Sequence, residues 1–239
     1  MYDTMESLKT ALSRIDAGNL LDVAVGRGAF LKMLLETARS YGTVTAVDIE
    51  QEILDDAAAE LAGFPVTFRK ADASALPFAD SAFQTVTMAN ALHHVTPVPA
   101  VLSEIKRVKQ PDGRFILQEM LSDGLDDSEM THHLMHHLRI DIDIERGVPH
   151  RPVISGPEVS ALLEEHGFTV LEESIHRDTA SDPFSPEARK RVEETVASIL
   201  ASAEGSPRYE EYRLRAESLK ERLKTAGVKR PRSILIIAR

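Results

Sequence analysis

The feature that most constrains this chain is the alternation between Leu20 and Met120 of strand-like apolar runs and helix-like periodic ones. "LLDVAV" (20–25), "TVTAVDI" (43–49), "VTFRKAD" (66–72), "FQTVTMAN" (83–90) and "RFILQEM" (114–120) read as strands. Between them, "FLKMLLETARSY" (30–41), "QEILDDAAAELA" (51–62) and "PAVLSEIKRV" (99–108) have helical spacing, and "PDG" (111–113) reads as a turn before the last strand. Strands that are apolar on both faces and separated by helices predict a parallel sheet covered on both sides, an α/β fold. Further on, helices are expected near 128–144, 156–168 (closed by Gly167), 186–203 and 207–226. A strand is expected at 168–176, and "RSILIIAR" (232–239) reads as a last buried strand.

Composition narrows the function. The chain has 239 residues, enough for one large α/β domain with helical insertions. It carries 28 Lys+Arg against 38 Asp+Glu, a net charge of -10, which argues against a nucleic-acid partner. With no cysteine, disulfides and thiol catalysis are excluded, and any metal would need His and carboxylate ligands. "MYDTMESLKTALSRI" reads as a short amphipathic helix with no signal-peptide layout, and no apolar run is long enough to span a membrane. A cytoplasmic protein is the expectation.

Chemistry enters at "LLDVAVGRGAF". A strand running into a glycine turn and a helix N-terminus offers backbone N–H groups to a ligand. Gly26 and Gly28 remove side chains where that ligand approaches. Asp48, about twenty residues on, closes the second strand, where a carboxylate accepts ribose hydroxyls. An adenosine-bearing ligand follows. The dinucleotide fingerprint G-x-G-x-x-G would put its third glycine at Leu31, so a nicotinamide cofactor fits poorly, although an NAD(P)-dependent oxidoreductase stays open.

The chain resembles the class I S-adenosylmethionine-dependent methyltransferases, especially the small-molecule branch that includes the ubiquinone/menaquinone-biosynthesis type. That family's first motif is an acidic residue followed by Gly-x-Gly-x-Gly, matched here by Asp22, Ala24, Gly26 and Gly28. Ala24 replaces the first glycine, a mild departure provided its backbone is not left-handed. "ADASALPFADSAF" (71–83), "NALHHV" (90–95) and "RVKQPDGRFIL" (107–117) extend the match. The resemblance implies a Rossmann-like, seven-stranded, mostly parallel sheet with an antiparallel last strand and helical lid insertions. It also implies S-adenosyl-L-methionine held by Asp22, Ala24, Gly26, Arg27, Gly28, Asp48, Ile49, Asp72, Ala73 and Asn90. The whole chain, 1–239, then reads as one methyltransferase domain containing a His-rich lid segment (121–154) and a helical insertion (182–228).

Two groups of histidines bear on what is methylated. His93 and His94 follow the fourth strand, at the rim where open α/β sheets bind ligands, and either could take a proton from a substrate. In "EMTHHLMHHLRIDID", His132/His136 and His133/His137 are i,i+4 pairs, and His150 follows shortly after. The ridge Glu129, His133, His137, Asp141 alternates candidate ligands, while Leu134, Leu138 and Ile142 are expected to pack inward. His132, His133, His136, His137 and His150 suit a divalent metal ion. The competing readings are a substrate pocket, with His133 and His137 joining catalysis, or a solvated face. The expected function is methyl transfer to a small-molecule substrate, with a non-enzymatic metal or cofactor sensor as the other alternative. The two charged late helices suggest a cap or a homodimer surface.

Overall fold

The computed structural model describes residues 5–239, so residues 1–4 of the expected N-terminal helix lie outside the described residues. In chain order the elements are α1 (Met5–Leu12), β1 (Leu20–Val23), α2 (Ala29–Thr37), β2 (Val44–Asp48) and α3 (Gln51–Glu60). Then come β3 (Val66–Lys70), β4 (Phe83–Ala89), α4 (Val98–Val108), β5 (Lys109–Met120) and α5 (Asp127–Glu145). The last are α6 (Gly156–Glu165), β6 (Val170–His176), α7 (Pro186–Ser202), α8 (Tyr209–Thr225) and β7 (Ser233–Ala238).

The seven strands form one sheet in the order β3-β2-β1-β4-β5-β7-β6. β1 pairs in parallel with β2 and β4, β2 with β3, and β4 with β5, whereas β7 runs antiparallel to β6. This is the expected mostly parallel sheet with an antiparallel last strand. Because β1 is central and covered on both sides, all four of its residues are buried, including Asp22.

The chain divides into two compact units. Among the described residues the sheet unit comprises 5–119, 156–176 and 233–239. In its core Leu20, Ala46, Ile116 and Leu235 from the strands meet Leu31 and Leu34 of α2, Leu54 and Ala57 of α3, and Leu8 and Leu12 of α1. The helical unit comprises residues 120–155 and 177–232. Its own core joins Met135, Leu138 and Ile142 of α5 to Val192, Val196 and Ile199 of α7 and to Tyr212, Leu219 and Leu223 of α8.

Three local expectations need correction. The helix expected over 30–41 stops at Thr37, because Arg39 and Ser40 turn to pair with Ile15 and Ala17 through the backbone. The "PDG" turn does not precede β5 but lies inside it. Phe83 pairs with Lys109 and Thr85 with Arg114, so the intervening residues of β5 bulge out of register. Gly113 sits at that bulge, where a Cβ would lie 2.6 Å from the Gln84 carbonyl. On α5, Leu138 and Ile142 are buried as expected, but Leu134 is 39% exposed and Met135 takes its place in the core.

Candidate donor site and histidine-rich helix

The donor-site candidates of the sheet unit gather at the carboxyl ends of β3, β2, β1 and β4, which are adjacent in the sheet. β1 ends at Val23, and the next five residues form the turn into α2. Within it Ala24 (φ +54), Gly26 (φ +54) and Gly28 (φ +80) are all left-handed. The proviso on Ala24 therefore fails: an L-residue stands where the backbone favours glycine. Ala24→Gly is expected to stabilise the protein by about 1 kcal/mol, read as a higher urea midpoint at unchanged slope. An unchanged or lower midpoint would show that the turn carries no strain.

The two glycines have different surroundings. A Cβ on Gly26 would meet nothing within 4 Å, so the backbone of the turn is open to a ligand there. A Cβ on Gly28 would lie 2.9 Å from Leu61 Cδ1. Gly28 thus lets the start of α2 pack against the end of α3, beside its N-cap position.

Asp48, at the end of β2, closes the other side of the turn. The Gly26 N–H donates to its Oδ2 (3.1 Å) and the Glu50 N–H to its Oδ1 (3.2 Å). The carboxylate is thereby fixed at the mouth of the turn while each oxygen keeps acceptor capacity for a hydroxyl. Beside it Ile49 is 58% exposed, an apolar side chain held at the strand end by nothing in its own core. Arg27 points outward, with its guanidinium 3.4 Å from Asp56.

Asp22 lies one strand over and is almost completely buried. Burial pushes its carboxyl up to about 7, against the lowering effect of the Thr87 hydroxyl that donates to it; the nearby charge of Asp48 pushes further up. It braces the interior behind the turn. The Ala71 N–H donates to the Asp48 carbonyl (2.9 Å), which brings Asp72 and Ala73 next to the same strand end. Asp72 accepts from the Ser74 N–H (2.8 Å) and hydroxyl (2.7 Å), and those bonds hold its carboxyl below the usual range. Asn90, left-handed at φ +48, donates its side-chain amide to Gln118 Oε1 (2.8 Å).

The turn after Asn90 presents His93 and His94 with ring centroids 4.2 Å apart. His94 is exposed; His93 is buried, and its Nδ1 lies 3.0 Å from Oε1 of Glu119, the penultimate residue of β5. The other oxygen of Glu119 accepts the Leu92 N–H (2.9 Å). Sequence reasoning missed Glu119. The signal was the polar pair Gln118-Glu119 ending an otherwise apolar strand, since a buried carboxylate requires partners.

In the helical unit, Asp126 caps α5 in a reciprocal capping box with Glu129. The helix brings His133 and His137 to 4.2 Å between ring centroids, and the chain returns His150 to 5.1 Å from His136 in an edge-on contact. His150 Nδ1 lies 2.9 Å from Asp143, which also accepts from Arg139 (3.0 Å). The two carboxylates of the expected ligand ridge are already paired with arginines. Glu129 lies 3.0 Å from Arg177 and Asp141 lies 2.6 Å from Arg215.

Burial, the dominant influence, pushes the imidazoles of His132 and His133 down to about 4 and that of His137 below its usual value. Because unfolded histidines titrate near 6.5, the unfolded chain binds more protons between pH 6.5 and 4. Stability is present above that window and lost as the pH falls through it. In chelator-containing buffer the His132→Gln/His133→Gln variant is expected to lose less of its urea midpoint between pH 6.5 and 4.5 than the wild type. Equal losses would show that these imidazoles do not govern the acid response.

The strand order and the reversed last strand define the class of fold, a Rossmann-like sheet of the methyltransferase type. Residues 21–117 match the family model described as a methyltransferase domain. The ubiquinone/menaquinone biosynthesis C-methyltransferase UbiE of Desulfotalea psychrophila is 36% identical over 102 residues, covering 42% of this chain and 40% of that protein. The demethylmenaquinone methyltransferase of Symbiobacterium thermophilum is 37% identical over 105 residues, 42% of each chain. The matched stretch is thus less than half the length of these relatives. Solved structures align over nearly the whole chain. BH2331 of Bacillus halodurans C-125 has a TM-score of 0.64 at 21% identity, covering 98% of this chain and 97% of that one. The cyclase SpnF has a TM-score of 0.60 at 19% identity, covering 98% and 80%. At such identities the likeness establishes the fold alone, and a cyclase among the neighbours illustrates that a fold does not dictate a reaction.

Proposed function

We propose that this chain transfers a methyl group from S-adenosylmethionine to a small-molecule acceptor. The observation that carries the reading is the open turn at Gly26 facing the anchored Asp48 carboxylate. The surroundings suit the donor: acceptor oxygens for ribose hydroxyls at Asp48, an exposed apolar surface for a purine at Ile49, and a polar edge at Asp72, Ala73 and Asn90. Asp22, Ala24, Arg27 and Gly28 shape the turn itself. When bound, the donor supplies an electrophilic methyl group on a sulfonium; the protein's contribution is to orient it, exclude water and manage the acceptor's proton. Leu31, in the place of a third glycine, is fully buried in the core of the sheet unit, which disfavours a dinucleotide.

The names of the curated relatives, a demethylmenaquinone methyltransferase among them, suggest a quinone-type acceptor. The matched stretch stops at Leu117, and the helical unit lies wholly outside it. His93, His94, His133 and His137 are the candidate catalytic groups, and the unit reads as a lid built from 121–154 and 182–228. A divalent metal on His132, His133, His136, His137 and His150 is a second reading. It draws support from Asp143 holding His150 Nδ1, the usual arrangement behind a metal-bound imidazole, and from histidines kept neutral by burial. Among the described residues no helix is long and apolar enough to cross a membrane, and a cytoplasmic enzyme, alone or as a homodimer, fits the reading. Calorimetry with S-adenosylhomocysteine and with NADH decides the donor: saturable binding of the first alone is expected, and binding of NADH alone overturns the proposal. Elemental analysis of the purified protein tests the metal.

A further inference from the structure

We propose that His136 and His150, with Asp143 as the positioning residue behind His150, supply two ligands of a binding site for a divalent transition-metal ion in the helical unit. This rests on the metal reading above and narrows it. The site is built on this pair and not on the ridge of His133 and His137, and its ion is of the zinc class rather than magnesium or calcium.

α5 ends in a motif that turns the chain back onto the helix. The Val148 N–H donates to the Asp143 carbonyl (2.8 Å) and the Gly147 N–H to that of Ile144 (3.0 Å), with Gly147 left-handed at φ +74. These paired bonds are how a helix closes on a left-handed glycine. His150 follows at once and meets His136 edge-on, with ring centroids 5.1 Å apart. His136 and Asp143 stand about two turns apart on the same face of α5, and His150 folds over both.

Asp143 also fixes the ring chemically. Its Oδ2 lies 2.9 Å from His150 Nδ1 and accepts from the Arg139 Nε–H (3.0 Å). A carboxylate accepts only, so Nδ1 carries the proton and the lone pair of the ring lies on Nε2. His150 and Asp143 are 7% and 6% exposed, so water competes little for that bond. A ligand nitrogen of His150 and one of His136 lie within 4.8 Å of each other. Two nitrogens on one tetrahedral ion are about 3.3 Å apart, so small ring rotations bring both onto a shared ion.

The neighbouring ridge is built differently. His133 and His137 lie ring against ring at 4.2 Å, while Glu129 and Asp141 beside them are committed to Arg177 and Arg215. The carboxylate that orients a ligating imidazole from behind stands at His150. Imidazole nitrogens suit zinc, iron, nickel or copper, whereas magnesium and calcium take oxygen ligands. An ion held by both rings fastens the loop after α5 to the helix, so binding registers in the fold as well as in affinity.

Titrating the metal-free full chain with Zn²⁺ against a chromophoric chelator reads the site, with excess Mg²⁺ as competitor. A single Zn²⁺ per chain is expected, undisturbed by Mg²⁺, with a raised melting temperature and slower amide exchange over 146–151. D143N should lose about 10–100-fold in Zn²⁺ affinity, and H136Q and H150Q should each lose more. H133Q/H137Q should keep the wild-type affinity, and melting in chelator reports whether each variant is folded. In wild-type crystals soaked with Zn²⁺, anomalous scattering at the zinc edge locates the ion without any substitution, and it is expected on His136 and His150. An ion on His133 and His137, or unchanged affinity in both H136Q and H150Q, overturns the proposal while leaving a metal on the helix. Displacement of Zn²⁺ by Mg²⁺ overturns it too. A wild-type protein that binds no Zn²⁺ overturns the proposal and the metal reading together.

Discussion

Asp48→Ala is expected to weaken S-adenosylhomocysteine binding by about 10²–10⁴-fold, because two hydrogen bonds to a carboxylate are lost and each contributes about 1.5–3 kcal/mol. The aspartate is preset for this role. The N–H groups of Gly26 and Glu50 hold one oxygen each, so the carboxylate need not be ordered when the ribose arrives. Asp48→Asn, which keeps one acceptor, should fall between the wild type and alanine. Calorimetry at fixed pH and salt measures all three. The Gly26 and Glu50 N–H groups released in the alanine variant would turn to water, so its melting temperature should move far less than its affinity. A near-wild-type affinity in Asp48→Ala would remove Asp48 from the donor site.

Asp22→Asn is expected to make the ligand-free protein more stable at pH 7.5 while hardly changing it at pH 4.5. The wild-type carboxyl titrates near 7 because it is buried, and an aspartate in the unfolded chain titrates near 3.9. Between those values the folded protein binds more protons, so this group's contribution falls as the pH rises through the window. The loss approaches about 4 kcal/mol as an upper bound, from three pH units at ~1.4 kcal/mol each. Asparagine keeps the oxygen that accepts from Thr87 and cannot ionise. His132 and His133 titrate in the opposite sense within the same range, so the quantity to read is the difference between variant and wild type, in which their contribution cancels. Urea midpoints that differ by the same amount at both pH values would show that Asp22 does not titrate in this interval.

Much of the sheet unit was legible in the residues because period and order suffice for it. Near-continuous apolar runs such as Leu20–Val25 have one stable use between helices, and Asp22, Gly26 and Asp48 fall at strand ends whatever the details of packing. What could not be read depends on neighbours distant in sequence. The left-handed Ala24 is a property of the turn, not of alanine. The packing role of Gly28 depends on Leu61, thirty-odd residues on, and the bulge in β5 on the Gln84 carbonyl. Glu119 matters because β5 lies beside β4, and no spacing rule links it to His93. On α5 the periodicity located Leu138 and Ile142 in the core but could not choose between the adjacent Leu134 and Met135, a choice made by the partners on α7 and α8.

The position of β7 has a consequence for how the protein comes into being. Residues 233–238 lie between β5 and β6, so β6 has no sheet neighbour until the latest strand in sequence is in place. Leu235 and Ile237 of that strand also complete the core built by α1 and α2 from the far end of the chain. During synthesis the earlier strands can assemble as they emerge, but the sheet unit must wait with an open slot until the final strand inserts. A ribosome stalled before residue 233 therefore holds an unfinished sheet whose exposed edges invite strands from other molecules.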